Sequence, residues 1–148
     1  MSPLESSFVL HPQLGKDTLG FGRLGLCRLL LMNESRYPWL ILVPERPGLI
    51  EISDLRMDDQ HRLIEESSRL SQHLQRCYPG SKLNIAAIGN VVSQLHLHHV
   101  VRFKEDPAWP APVWGREKAL PFSDEALAEM LWRLKMETLP GWTPLEIA

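Results

Sequence analysis

The chain has 148 residues, enough for one domain with a sizeable core. Hydrophobic residues make up 44% and charged residues 23%, the values of an ordinary soluble globular protein. A formal net charge of −2 provides no strongly basic face for a nucleic-acid duplex, and the longest apolar runs, near 29–32 and 39–43, are far too short to cross a bilayer. The opening stretch MSPLESSFVLHP carries Glu5 and no basic region ahead of an apolar one, so it does not read as a secretory signal. Cys27 and Cys77 form no C-x-x-C pair and read as free thiols in a reducing compartment, which predicts a cytoplasmic protein.

Residues 3–20 mix polar residues, prolines and glycines and read as irregular, with room for one short helix or strand. RLGLCRLLLM, 23–32, reads as a strand, because its leucines are not helix-spaced and Gly20, Gly22 and Gly25 break any helix. NESRYP, 33–38, is a turn, and WLILVP, 39–44, is a continuous apolar run suited to a strand buried on both faces; the two strands predict a hairpin. After a loop with two prolines, Ser53 or Asp54 can cap an amphipathic helix from Asp58 to Cys77. Its face is Leu63, Ser67, Leu70, Leu74 and Cys77, with Asp59, Arg62, Glu65, Glu66, Arg69 and Arg76 elsewhere. YPGS, 78–81, stops it.

KLNIAAIGN, 82–90, reads as a third strand, and VVSQLHLHHVVRF, 91–103, as a fourth. Alternation sends Gln94, His96, His98, Val100 and Arg102 to one face and Leu95, Leu97, His99, Val101 and Phe103 to the core face. KEDPAWPAPVWG, 104–115, is neither helix nor strand; its tryptophans supply packing area. Ser123 caps a last helix over 124–138, with Leu127, Met130, Leu131 and Leu134 inward. The order β-β-α-β-β-α predicts an α+β fold: an antiparallel sheet with two main helices, one domain over 1–148.

Three of the six histidines fall at 96, 98 and 99. His96 and His98 share a face about 7 Å apart, with Gln94 extending the row. His99 points to the core side and reads as a satisfied buried histidine. The row admits three readings. One is a polar strip on an exposed sheet face. Another is a metal pair, which would need a further ligand that no spacing supplies. The third is catalysis at phosphorus: a neutral imidazole is a competent nucleophile when a hydrogen bond to its other nitrogen fixes the tautomer, and a second imidazole can serve the leaving group.

QLHLHHVVRF resembles the signature of the histidine triad superfamily, H-φ-H-φ-H-φ-φ with φ apolar. LLLMNESRYPWLILVP, the helix after it, KLNIAAIGNVVSQLHLH and RFKEDPAWPAPVWG extend the likeness over about 20–116, to a bacterial branch in which glutamine replaces the first histidine. The resemblance implies a sheet-and-helix α+β fold, homodimers, and a nucleotide hydrolase or nucleotidyltransferase. Such an enzyme acts on the α-phosphate of dinucleoside polyphosphates or nucleoside phosphoramidates. It implies His96 as the nucleophile that forms a nucleotidyl-histidine intermediate, His98 at the α-phosphate or leaving group, and Gln94 in the first motif position, where a carboxamide holds a phosphate oxygen or orients its neighbours. No cofactor is implied beyond magnesium carried by the substrate, and the partner is a small-molecule nucleotide.

Asn33 aligns with a ribose-binding position of that family and is otherwise a turn residue. Asn84 and Asn90 flank the third strand's end near the motif, and Asn90 after Gly89 suits either a phosphate site or a turn. The guanidinium of Arg102 suits phosphate, or an ion pair with Glu105 or Asp106. Trp109 and Trp114 suit a site wall, or plain packing. Trp39 stands where the family often has an early-strand histidine, His99 where it has an apolar residue, and the loop before the motif is shortened to IGNVVS. Those departures support a second expectation, a nucleotide-binding or interaction protein with little catalysis.

Overall fold

The computed structural model describes residues 7–145. Glu5, on which the reading of the amino terminus rested in part, lies outside them. A short helix α1 (Pro12–Asp17) leads into strands β1 (Thr18–Arg23), β2 (Cys27–Met32) and β3 (Trp39–Pro44). Helix α2 (Met57–Cys77), strands β4 (Lys82–Ala86) and β5 (Leu97–Arg102) and helix α3 (Asp124–Leu134) follow. The strands form one five-stranded sheet in the order β1-β2-β3-β5-β4, every neighbouring pair antiparallel. The α+β class, the β2–β3 hairpin and both main helices agree with expectation. Among the described residues no helix is long and apolar enough to cross a membrane.

The near-continuous apolar runs of β2 and β3 follow from burial on both faces: all six residues of β3 are buried. On one face Leu29, Leu31, Leu40, Leu42, Leu97 and Val101 pack under Leu63, Leu70 and Leu74 of α2. Burying each such side chain contributes about 1.5–3 kcal/mol. On the other face Leu30, Ile41, Val43 and Val100 are covered by Leu14 of α1, by Tyr37 and Trp39, and by Val92, Ala108 and Val113 from the loops. This second face is therefore a smaller core and not an open polar strip.

Several expectations need correction. The segment 23–32 is a strand only from Cys27, and a fifth strand, β1, lies within the stretch read as irregular and at the start of that segment. Gly20 and Gly22 concealed it. They mark a bulge in β1, where Gly22 has φ +118° and where a side chain would run into the Trp142 indole and the Thr143 carbonyl. Trp142 Nε1 donates to the Phe21 carbonyl, and Thr143 bridges Arg23, so the carboxy-terminal segment covers the β1 edge. Neither Ser53 nor Asp54 caps α2. Asp54 instead accepts from the Ile50 and Glu51 amides at a short 3-10 turn, and Arg56 precedes α2 without a side-chain cap bond. Glu66 is 2% exposed, not on an outer face; its carboxylate accepts from the Leu26 and Cys27 amides and pins the β1–β2 connection to α2. The last helix ends at Leu134, where Lys135 turns left-handed (φ 45°) and a 3-10 turn follows; Leu131 is exposed. Strand β5 begins only at Leu97, so Gln94 and His96 lie in the loop that enters it.

Candidate functional site

Strand β5 is held between β3 and β4, with His98 opposite Ile41 and His99 opposite Leu40. The predicted alternation holds: His99 points under α2 and His98 points to the second face. His99 is wholly buried, and both of its ring nitrogens are used. Nδ1 lies 3.1 Å from the Leu97 carbonyl, which can only accept, so Nδ1 carries the proton and Nε2 accepts from Ser67 Oγ at 2.8 Å. Burial pushes its pKa down to about 4, partly opposed by the Leu97 bond.

His96 and His98 form the candidate site. Their rings meet edge to face with centroids 4.8 Å apart. His96 Nδ1 lies 2.7 Å from the carbonyl of Gln94. That carbonyl is an acceptor, so neutral His96 carries its proton on Nδ1 and presents a lone pair on Nε2. His98 is in the opposite tautomer. The indole Nε1–H of Trp39 donates to its Nδ1 at 3.0 Å, so neutral His98 carries its proton on Nε2. Burial, then the neighbouring His96 and His99, pushes the His98 pKa down to about 3. Among the described residues neither Nε2 has a hydrogen-bond partner. The pair thus joins one nucleophilic nitrogen to one neutral N–H donor.

Trp39 and Trp114 enclose His98, with ring centroids 5.7 and 5.4 Å from it and 5.9 Å from each other. The buried Trp114 Nε1–H has no partner among the described residues, and Trp39, Trp114, Met32 and Tyr37 line a cavity of about 130 Å³. On the other side of the pair, a recess of about 30 Å³ runs along Ile88, Gly89, Ser93, Gln94 and His96, with Glu51 on its wall. Gly89 reaches this recess with φ +67°, a conformation that suits glycine and brings backbone close to the site. Among the described residues, no three His, Cys, Asp or Glu side chains are gathered where one metal ion would be held.

A family model described as the HIT domain matches residues 15–105. The chain belongs to the histidine triad family. Solved structures similar to it include a histidine triad protein from Marinobacter aquaeolei VT8, 46% identical, with a TM-score of 0.85 over 90% of this chain and 98% of that one. A histidine triad (HIT) protein from Sinorhizobium meliloti 1021 is 41% identical, with a TM-score of 0.85 over 91% and 99% of the two chains. A histidine triad protein from Bradyrhizobium japonicum is 41% identical, with a TM-score of 0.84 over 88% and 97%. No curated protein matches.

Within this histidine triad frame, the other residues singled out in the sequence have different fates. Gln94 lies beside His96, but its carboxamide is bonded to backbone, with Oε1 accepting from His11 N at 2.8 Å and Nε2 donating to the Val9 carbonyl at 2.9 Å. Arg102 is 1% exposed and not available to a phosphate. It grips Asp106 at 2.7 and 3.0 Å, donates to Asn84 Oδ1 at 2.8 Å, and lies over the Tyr37 and Trp109 rings. Asn84 and Trp109 are therefore partners of Arg102 at the far end of β5. Trp114, and not Trp109, reaches the histidine pair. Asn33 Oδ1 accepts from the Phe122 amide and ties down the carboxy-terminal segment. Asn90 is exposed and does not line the recess that Gly89 reaches. The residue that sequence reasoning undervalued is Trp39. Its signal was its place where the family often has an early-strand histidine; in the sheet it shares a face of β3 with Ile41, which is opposite His98.

Proposed function

We propose that the protein is a nucleotide hydrolase or nucleotidyltransferase that acts through a covalent His96 intermediate. The observation that carries this reading is the pair of fixed, opposite tautomers at His96 and His98. The Nε2 lone pair of His96 attacks the α-phosphorus in line, and the bond from phosphorus to the leaving group breaks. Positive charge then develops on the His96 ring, where the Nδ1–H bond to the Gln94 carbonyl stabilises it. The Nε2–H of His98 donates a hydrogen bond to a phosphoryl oxygen as charge shifts toward the leaving group. Water attacks the nucleotidyl-His96 adduct, releasing a nucleoside monophosphate and free imidazole.

Because its pKa is pushed down to about 3, His98 stays neutral near pH 7 and serves as a hydrogen-bond donor, not as a cationic acid. That favours leaving groups that need no proton from the protein: a polyphosphate accompanied by magnesium, or a phosphoramidate amine protonated by solvent. A homodimer is part of the same proposal. Its support is the unpaired outer edge of β4, near the exposed Ile85, Ile88 and Val91. A cytoplasmic location is supported by the two free cysteines.

Incubation with adenosine phosphoramidate and with diadenosine polyphosphates tests the reading. Expected are released AMP and an acid-labile protein adduct in the wild type, and neither in His96→Ala. Undiminished turnover in His96→Ala would overturn it. A second reading, nucleotide binding with little catalysis, is favoured by the narrowness of the recess and by the prior engagement of the Gln94 carboxamide. Tight AMP binding without product or adduct would establish that reading instead.

A further inference from the structure

Gln94 faces two ways. Its main-chain carbonyl holds Nδ1–H of His96, while its side chain reaches a segment more than 80 residues away in the chain. The carboxamide presents an oxygen and an NH2 side by side, and each meets its complement: the His11 amide donates to Oε1, and Nε2 donates to the Val9 carbonyl. This two-point match fixes the orientation of the carboxamide, since flipping it would set N–H against N–H and oxygen against oxygen. A histidine at 94 could not reproduce it, because an imidazole projects its two nitrogens in divergent directions. The segment so held is otherwise placed by side-chain packing. Phe8, Leu10 and Leu14 rest on the second-face core, the Arg28 guanidinium covers the Phe8 ring at 5.1 Å, and His11 Nδ1 accepts from the Gln13 amide at the start of α1. Val9, whose carbonyl is one of the two bonded groups, is 77% exposed.

We propose that Gln94 is a positioning residue, a latch that closes the amino-terminal strap Val9–His11 beside the His96 recess and so keeps its own carbonyl aimed at His96. For its kinetic consequence this rests on the nucleotidyl-histidine reading above; the latch itself does not. Closing the strap and orienting the nucleophile are then one event, because both depend on the conformation of a single residue. The first motif position acts on the chemistry without touching the phosphate.

Two substitutions address the latch from opposite ends. Gln94→Ala removes the carboxamide. His11→Pro removes the donor amide from the strap's backbone, at a residue whose φ of −55° accepts a proline ring, and with it the imidazole that caps the Gln13 amide. Hydrogen exchange in the ligand-free protein is the first measurement. Exchange of the 8–14 amides should rise about ten-fold in Gln94→Ala, the scale of one lost hydrogen bond, and at least as far in His11→Pro, while β3 and β5 amides stay protected and report an intact fold. The 15N shifts of the His96 ring should at the same time leave the pure Nδ1–H pattern. With adenosine phosphoramidate, kcat should fall about ten-fold in either variant with KM little changed, and the double variant should fall no further. Unchanged exchange over 8–14 in Gln94→Ala would overturn the latch. So would a second ten-fold loss on adding Gln94→Ala to His11→Pro, which would mean that Gln94 contacts the substrate directly. A wild type that turns over no nucleotide would defeat the proposed function, and exchange and ring shifts would still decide the latch.

Discussion

The two faces of β5 carry adjacent histidines with opposite assignments. On the face under α2, His99 is enclosed by the larger core and both its nitrogens are used, by Ser67 and by the Leu97 carbonyl. On the other face, His96 and His98 are also buried, at 7% and 6% exposure, yet each has one nitrogen fixed and one without a partner among the described residues. Burial therefore does not separate the structural histidine from the two proposed to react, and neither does a depressed pKa, which His98 and His99 share. What separates them is unspent hydrogen-bonding capacity. A ring with two partners is a bracket within the fold. A ring with one partner keeps a nitrogen available for chemistry, in a tautomer chosen by that partner.

The largest expected effects come from exchanging the two faces. His96→Ala should lower nucleotide turnover by about a thousand-fold or more, the scale of losing a nucleophile, with only a modest fall in melting temperature. His99→Ala should do the reverse. It leaves Ser67 Oγ and the Leu97 carbonyl without a partner in a dry core, at a cost of about 1–3 kcal/mol of stability, while turnover of the surviving folded protein changes little. Thermal melts and AMP release measured on both variants decide the matter. Equal losses of activity in the two would show that the faces do not differ in the way their bonding indicates.

Period-two alternation was enough to place Leu97, His99 and Val101 on one face and His98, Val100 and Arg102 on the other, because a strand side chain has only two directions. The buried hairpin was legible for the same reason, in the unbroken apolar runs of β2 and β3. What the alternation could not show was the destination of each polar group. Arg102 reads as a phosphate ligand or as an ion pair with Glu105 or Asp106; the pair with Asp106 is the one that forms, and the bond to Asn84 across the strands is the part that spacing did not show. Glu66 reads as a solvated helix residue until the β1–β2 connection is laid against it. Gln94 reads as a phosphate contact or as an orienting neighbour, and only the fold shows that a segment far back in the chain occupies its carboxamide. The bonds to Asn84, to the Leu26 and Cys27 amides and to the Val9–His11 strap are tertiary, and local spacing carries no record of them.

Both faces respond to pH through a buried neutral ring. His98 and His99 have folded pKa values near 3 and 4, against about 6.5 for a free imidazole, so both are depressed. The unfolded chain binds protons as pH falls through 6.5, and the folded chain does not until the two lower values. Stability is therefore full above about pH 6.5 and declines as pH drops toward 4 and 3. Between pH 7.5 and 5 each histidine should remove about 2 kcal/mol, readable as a falling denaturation midpoint. His98→Gln and His99→Gln should each flatten that slope by about half. A midpoint unchanged down to pH 5 would contradict the burial of neutral rings on both faces. Trp39→Phe acts on one face alone. It keeps an aromatic ring but removes the donor to His98 Nδ1, freeing that ring to take either tautomer; turnover should fall about ten-fold, as for loss of a single oriented donor. The 15N pattern of His98 should change while that of His99 should not.

The smallest expected effect concerns the wall of the recess. Glu51 lies there with His96, where a substrate's phosphates would gather. It is exposed, so solvent weakens its repulsion of a polyphosphate without abolishing it. Glu51→Gln removes the charge and keeps the shape. KM for a diadenosine polyphosphate should fall about two- to three-fold at low salt and by less at 0.5 M salt, with kcat unchanged, because the carboxylate touches neither histidine. A phosphoramidate, carrying fewer charges beyond the α-phosphate, should respond less. The ratio of the two KM changes therefore reports whether the polyphosphate tail leaves past Glu51 or along the tryptophan side of the pair. An unchanged ratio would place the tail on the tryptophan side.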